Sequence, residues 1–219
     1  MTTPQQPGGP LRSFGRLQAR PLKSRQAALF DSLLPKVAVS AEGPVAISGE
    51  TWMEIGFGGG EHLAAQAARH PDIAFLGAEP FVNGVASALR HIEEGGLENV
   101  RLWQGDAREL IARLPSAALR RVFILFPDPW PKARHHKRRL IQADFVADLA
   151  RVMASGARLR FATDWENYAE EGRAVIDASP LFEAVAADQN LAPEDHVVTR
   201  YEEKKLGDIA PVWFDWTKL

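Results

Sequence analysis

Short apolar runs alternate with segments whose apolar residues recur every three or four positions. The first pattern is typical of buried strands and the second of amphipathic helices. The predicted strands are 52–55, 73–76, 100–103, 122–126 and 159–162, and the predicted helices lie at 61–69, 81–92, just after 106, 141–152 and 168–177.

The spacing of these elements predicts an α/β fold. Residues 122–126 are apolar at five successive positions, which suits a strand buried on both faces of a parallel sheet. Single helices between successive strands indicate right-handed βαβ units. The segments 197–201 and 212–216 are strand-like with no strong helix between them, so we expect an antiparallel pair there. The fold class is a Rossmann-like, doubly wound, mostly parallel sheet with an antiparallel C-terminal strand pair, in three layers and a single domain.

The two ends of the chain differ in character. Residues 1–24 are rich in Pro, Gly and Arg without apolar periodicity, so we expect a flexible basic tail followed by one domain over 25–219. The 219 residues include no cysteine, which excludes disulfides, thiolate zinc sites and iron–sulfur clusters. No secretory signal and no apolar run of about 18 residues is present, so we expect a cytoplasmic protein that does not span a membrane.

Positive charge is concentrated although the net charge is only −2. Residues 1–30 contain five basic residues and no acidic one, and residues 132–139 contain another five with no acid. The remainder carries 16 basic and 28 acidic residues. Two basic blocks on an acidic body favour a polyanionic partner such as nucleic acid, although a solvated tail and loop would have the same composition.

A glycine-rich turn follows the first predicted strand. Gly56, Gly58 and their neighbours allow the backbone to turn sharply and approach a ligand closely. A dinucleotide fingerprint would need a small residue at 61, where this chain has Glu61. With Glu54 in the strand, the acidic surroundings oppose pyrophosphate and suit a cationic ligand such as S-adenosylmethionine. The alternative is a purely structural turn.

Acidic residues also follow the second, third and fifth strands. Glu79 is placed to accept hydrogen bonds from both hydroxyls of an adenine-linked ribose. Asp106 is placed to accept from an adenine amino group, and Asp164 stands beside an aromatic residue at the same sheet edge. The alternative for Asp106 and Asp164 is that each only caps the helix that follows it.

The fourth strand leads into the segment Phe126-Pro-Asp-Pro-Trp-Pro-Lys132. Its three prolines predict a stiff platform that carries Asp128 and Trp130. It resembles the Asp/Asn-Pro-Pro-aromatic motif of base-amine methyltransferases, with Trp130 in place of the second proline. The indole is suited to base stacking and the following basic run to phosphate binding. A rigid turn around a core tryptophan is the alternative. His135-His136 lacks further ligands at metal-binding spacing, so we expect no metal site.

Taken together, these motifs resemble the bacterial tRNA (guanine-N7)-methyltransferases, which belong to the class I S-adenosylmethionine-dependent methyltransferases. The resemblance covers roughly residues 50–216, and Pro80 departs from it where many relatives have a β-branched residue. The matching residues are Glu54-Ile-Gly-Phe-Gly-x-Gly, Gly77-x-Glu79, Asn99-Val through Asp106-Ala107, Phe126-Pro-Asp-Pro-Trp-Pro-Lys-x-Arg-His-His-Lys-Arg-Arg139, Ala162-Thr-Asp164-Trp and Thr199-x-Tyr-Glu202-x-Lys204.

The resemblance implies methyl transfer from S-adenosylmethionine, leaving S-adenosylhomocysteine, to N7 of a guanine at position 46 of the tRNA variable loop. It implies Asp128 as the catalytic residue and tRNA as the partner, with no metal, no membrane and no obligatory protein partner, in a monomer or homodimer. The implied cofactor residues are Glu54, Gly56, Gly58, Glu79, Asp106 and Asp128; those for the tRNA guanosine are Lys132, Asp164, Thr199, Arg200, Tyr201 and Glu202. The basic run supplies the expected phosphate contacts Arg134, Lys137, Arg138 and Arg139.

The chemistry of guanine N7 limits what the protein has to do. N7 carries a lone pair and no proton, so catalysis needs alignment of the reactants rather than a base. The base becomes cationic, and a fixed carboxylate such as Asp128 or Asp164 would stabilise that charge. The alternatives are another RNA or DNA base methyltransferase and, less favoured, an NAD-dependent oxidoreductase.

Overall fold

A computed structural model describes residues 17–19 and 21–219. The strands are β1 Thr51–Ile55, β2 Ala74–Ala78, β3 Val100–Trp103, β4 Leu119–Leu125, β5 Met153–Thr163, β6 Phe182–Ala184 and β7 Val212–Lys218. The helices are α1 Ser24–Ser32, α2 Leu34–Val37, α3 Glu61–Arg69, α4 Val82–Gly95, α5 Ala107–Arg113, α6 Ala143–Val152, α7 Glu166–Asp177 and α8 Arg200–Glu203, with a 3-10 turn over Ala133–Arg138.

The seven strands form one sheet in the order β3-β2-β1-β4-β5-β7-β6. Strands β1 to β5 are parallel, and β7 is antiparallel to both β5 and β6. The chain order reverses between β1 and β4, which is the point where doubly wound sheets bind ligands. This architecture confirms the predicted fold class.

The predicted strand over 197–201 is wrong. Its residues run into helix α8, and β7 pairs antiparallel with β5 and β6 instead. Thr199 caps α8 reciprocally with Glu202: the Thr199 hydroxyl accepts from the Glu202 backbone N–H, and the Glu202 carboxylate accepts from the Thr199 N–H. A capping box of this kind starts a helix, and here it outweighs the strand preference of the preceding valines.

Hydrophobic cores fill both faces of the sheet. Val122 and Ile124 of β4 pack on one face with residues of α5, α6 and α7, whereas Phe123 and Leu125 pack on the other with residues of α3 and α4. Alternation along β4 therefore supplies both cores, which explains why its sequence is continuously apolar. The result is a rigid sheet whose carboxyl edge carries the predicted site residues.

The predicted basic tail lies mostly outside the described residues. Of its last residues, Leu17 accepts a hydrogen bond at its carbonyl from the backbone N–H of Val82, and the Ala19 N–H donates to the Asn83 side chain. These contacts place residues 17–19 at the start of α4. None of the helices over 17–19 and 21–219 has the length and apolar character needed to cross a membrane.

Candidate active site

The glycine turn between β1 and α3 depends on left-handed backbone conformations. Gly56, Gly58 and Gly60 have φ values of 72°, 52° and 81°. A Cβ at Gly60 would lie 2.6 Å from Cβ of Ala88, whereas a Cβ at Gly56 or Gly58 would meet no atom within 4 Å. The turn therefore packs tightly against α4 on one side and leaves open space beside its first two glycines.

Glu79 connects the end of β2 to this turn. One carboxylate oxygen accepts from the Gly58 N–H at 2.8 Å and the other from the Phe81 N–H at 2.9 Å. The residue is only 8% exposed. Burial raises the pKa of Glu79 to about 7, and the nearby charges of Asp128 and Glu54 add to the effect. Carboxylates that lie in β1 and just after β2 and β4 therefore interact electrostatically.

Glu54 occupies the fourth position of β1 and is buried. One of its carboxylate oxygens lies 2.8 Å from Nδ1 of His62, a buried residue of α3. Sequence reasoning named Glu54 but missed His62. The available signal was a histidine on the buried face of an amphipathic helix that directly follows a ligand-binding turn.

Asp106 caps helix α5, as the alternative interpretation held. Its Oδ1 accepts from the Arg108 backbone N–H at 3.0 Å, and the Arg108 guanidinium reaches both carboxylate oxygens, at 2.9 and 2.7 Å. The adenine contact stays a prediction. An incoming adenine amino group would share this carboxylate with Arg108 or displace it.

The proline-rich platform after β4 is bounded by two residues in an unusual conformation. Phe126 and Trp130 have φ values of 51° and 43°, which cost non-glycine residues roughly 1–3 kcal/mol each. Between them, Asp128 lies at the rim of the site with much of its surface exposed, and the part of its carboxyl group that is shielded from solvent accounts for its raised pKa. The prolines on either side of Asp128 restrict the backbone that carries this carboxylate.

The basic run after the platform divides into exposed and buried cations. Lys132, Arg134 and Lys137 are exposed, and the guanidinium of Arg138 lies over the Trp130 ring at 5.1 Å from its centroid. His135 meets the edge of the same ring. Within the described part of the chain, no group of three potential metal ligands comes together around either histidine of the run.

The prediction that Arg139 contacts a phosphate is wrong, because this residue is only 3% exposed. Its guanidinium donates to the Pro129 carbonyl at 2.9 Å, pairs with Glu171 and lies over the Tyr168 ring. A phosphate cannot reach a guanidinium enclosed in this way. Arg139 instead holds the platform against α7.

We expect Arg139→Ala to destabilise the protein by about 2–4 kcal/mol, because it leaves the Pro129 carbonyl without its donor and the Glu171 carboxylate with only His136 beside it. Urea unfolding measures the change. The matched variant is Lys137→Ala in the same basic run, which is exposed and should change stability by less than about 0.5 kcal/mol. Equal effects of the two variants would contradict a structural role for Arg139.

Asp164, after β5, joins the platform to the C-terminal segment. It is 4% exposed, and burial raises its pKa. Its Oδ1 accepts from the Tyr201 hydroxyl at 3.3 Å, while a Cβ at Gly207 would lie 2.1 Å from its carbonyl oxygen. Asp164 is not the cap of α7, since the N-cap is Trp165. Its carboxylate is therefore held by the segment around α8.

The segment around α8 brings its predicted substrate residues to the same edge. The Tyr201 ring stacks on Phe126 with 5.6 Å between centroids, so α8 lies against the platform. Arg200 is exposed at the start of α8. Glu202 is half-buried, and its Oε1 lies 2.8 Å from Nε2 of His196. Sequence reasoning did not identify His196.

Comparisons with known proteins agree with this geometry. A family model described as a putative methyltransferase matches residues 48–213. A tRNA (guanine-N(7)-)-methyltransferase of Caulobacter vibrioides is 62% identical, with 100% of both chains covered. Another protein of that name, from Hyphomonas neptunium, is 51% identical over 94% of this chain and 99% of its own.

Solved structures with low sequence identity share the fold. A 16S rRNA (adenine(1408)-N(1))-methyltransferase from Catenulisporales acidiphilia, determined with its cosubstrate SAM, has a TM-score of 0.54 at 17% identity and covers 78% of this chain and 87% of its own. TrmN from Thermus thermophilus has a TM-score of 0.54 at 20% identity and covers 89% of this chain and 48% of its own. The full-length agreement with the curated relatives, on a sheet whose carboxyl edge carries the family's motifs, shows that this chain belongs to the tRNA (guanine-N7)-methyltransferases.

Proposed function

We propose that this protein transfers the methyl group of S-adenosylmethionine to N7 of a guanine in the tRNA variable loop, at conventional position 46. The observation that carries the proposal is the convergence at one sheet edge of Glu79, Asp128 and Asp164 with the platform and α8. Full-length relatives that bear this activity in their names support it.

The residues at the carboxyl edge fit S-adenosylmethionine. Open space beside Gly56 and Gly58 admits a ligand close to the backbone. Glu79 retains lone pairs beyond the two that accept backbone N–H groups, so it is able to accept from a ribose diol as well. Asp106 would accept from the adenine amino group, and Glu54 adds negative charge beside a sulfonium. When bound, S-adenosylmethionine supplies an electrophilic methyl group.

Asp128 acts in this proposal by its charge. Guanine N7 has no proton to lose, and the base becomes cationic as the methyl group arrives. A carboxylate fixed near the guanine N1 and exocyclic amino hydrogens stabilises that charge most where solvent is partly excluded, as the environment of Asp128 indicates. Asp164 is the second candidate for this role, since it is buried beside Tyr201.

The guanosine would be held between the platform and α8. Trp130 and Tyr201 offer aromatic faces at the rim, and the exposed Lys132 and Arg200 offer cations. Thr199 and Glu202 shape the start of α8, whose capping box fixes the direction of this segment. The variable loop would open locally to present N7 to the site.

Replacing Lys132, Arg134 and Lys137 together with alanine should weaken tRNA binding about uniformly across tRNAs and lower the slope of log affinity against log salt by about 2–3. These three cations are exposed on one segment, whereas Arg139 is enclosed. Filter binding between about 50 and 200 mM salt measures the slope. A slope equal to that of the wild type would show that the phosphates bind elsewhere.

Six further features belong to the proposal. Residues 25–219 act as one methyltransferase domain preceded by the basic tail 1–24. The reaction uses no metal, the protein works in the cytoplasm, and tRNA is its partner. No obligatory protein partner is required, and the chain works as a monomer or homodimer.

Nucleoside analysis tests the proposed function in cells. Total tRNA from cells lacking this protein should contain no N7-methylguanosine at position 46, and the modified nucleoside should return when the gene is restored. If restoring the gene brought back N6-methyladenosine instead, the protein would be a different base methyltransferase. Unchanged N7-methylguanosine in cells lacking the protein would contradict the proposal.

A further inference from the structure

A buried chain of hydrogen bonds leads away from Glu54. Nδ1 of His62 lies 2.8 Å from the Glu54 carboxylate, and the other ring nitrogen, Nε2, lies 3.2 Å from Nε2 of Gln66. The Gln66 amide then donates to the backbone carbonyl of Asp195 at 2.7 Å. His62 is 1% exposed and Gln66 is fully buried. We call these four residues the buried relay.

The chemistry of the buried relay fixes its direction. A backbone carbonyl only accepts, so the Gln66 amide nitrogen, and not its oxygen, faces Asp195. The same nitrogen faces Nε2 of His62, which must therefore accept. The hydrogen of the imidazole then resides on Nδ1 and is donated to Glu54. Along the relay, each N–H group of Gln66 and His62 therefore donates to an acceptor.

The far end of the relay positions the segment that leads to α8. Arg69 also donates to the Asp195 carbonyl, and the Asp195 carboxylate pairs with Arg121 and Arg160, each at 2.6 Å. The next residue, His196, is bound to Glu202. Asp195 is thus connected to Gln66, to the sheet arginines and, through His196, to α8 by short, partly buried contacts.

We propose that the buried relay couples the two halves of the site, so that cofactor bound at Glu54 favours the position of α8 that receives the tRNA guanosine, and tRNA favours cofactor in return. The inference rests on the proposed function. His62 and Gln66 are positioning residues in it, because neither touches a reacting atom. Reciprocity follows from thermodynamic linkage, and a coupling of about tenfold in affinity lies within the usual range.

The test compares S-adenosylhomocysteine binding by calorimetry with and without saturating unmodified tRNA. In the wild type, tRNA should tighten binding about tenfold. Gln66→Met has a side chain of similar size that cannot bridge His62 to Asp195, and should lose most of this enhancement while binding without tRNA changes by less than about threefold. Ala68→Met places the same side chain on the exposed face of α3 and should behave as the wild type.

The possible outcomes distinguish a failure of the coupling from a failure of the proposed function. A wild type that binds both ligands without mutual enhancement, or a Gln66→Met variant that keeps the full enhancement, would overturn the coupling alone. A wild type that binds neither ligand would contradict the proposed function as well. Should Gln66→Met fold poorly, hydrogen exchange of the wild type decides: S-adenosylhomocysteine alone should slow amide exchange over 195–203 several-fold, and unchanged exchange would overturn the coupling.

Discussion

Asp128→Asn is expected to lower the rate of methyl transfer by about 100- to 1,000-fold, a much larger loss than the accompanying loss of S-adenosylhomocysteine affinity. The variant keeps the shape of the side chain but removes the charge that the proposal places beside the developing guanine cation. Partial burial, which raises the pKa of Asp128, also strengthens the interaction of its charge with a nearby cation. Single-turnover kinetics with saturating tRNA measure the effect.

Asp148→Asn is the matched control, because Asp148 lies on the exposed surface of α6 and should retain the wild-type rate. Asp164→Asn, measured beside it, decides which carboxylate contributes more: the larger loss identifies the main charge-stabilising group. Near-normal turnover of Asp128→Asn would refute the electrostatic role of this residue.

Glu79→Gln is expected to weaken S-adenosylhomocysteine binding by roughly 10- to 100-fold. The carboxylate accepts from the Gly58 and Phe81 N–H groups, and an amide would turn an NH₂ group toward one of those donors. Loss of a charge-assisted hydrogen bond costs about 1.5–3 kcal/mol. Glu98→Gln at an exposed position is the control.

Cofactor binding should also depend on pH through Glu79. Because burial raises the pKa of Glu79 to about 7, the group is largely protonated at pH 6 and largely ionised at pH 8. Only the ionised form accepts with both oxygens, so affinity should increase about tenfold from pH 6 to pH 8. The same pH series on Glu79→Gln should be flat across this range. A wild type whose affinity does not change between these pH values would show that Glu79 does not titrate in the binding step.

Local patterns specify most of the fold. The apolar run at 122–126 marked a strand between two cores, and the periodicity over 61–69 matched α3 to the residue. These elements are decided by which face is buried, and sequence periodicity records that directly. At 197–201, reciprocal capping between Thr199 and Glu202, each side chain bound to the other's backbone N–H, overrides strand preference.

The site shows where local patterns stop being informative. Carboxylates at strand ends could be predicted because parallel strands end at one edge. The buried relay could not be predicted, because the Gln66 amide donates to a backbone carbonyl that is 129 residues away in the sequence. Nor does a run of cations reveal that Arg139 faces inward toward Tyr168 while Lys137 faces solvent. Such choices depend on tertiary packing.

Methylation of a defined RNA by the purified protein tests whether the enzyme modifies guanine N7 in the variable loop. An unmodified tRNA transcript with a guanine at position 46 is incubated with S-adenosylmethionine that carries a deuterated methyl group, then digested and analysed by mass spectrometry. We expect the label in N7-methylguanosine, at that single variable-loop position. Label on another base, or no label from a folded protein that binds S-adenosylhomocysteine, would contradict it.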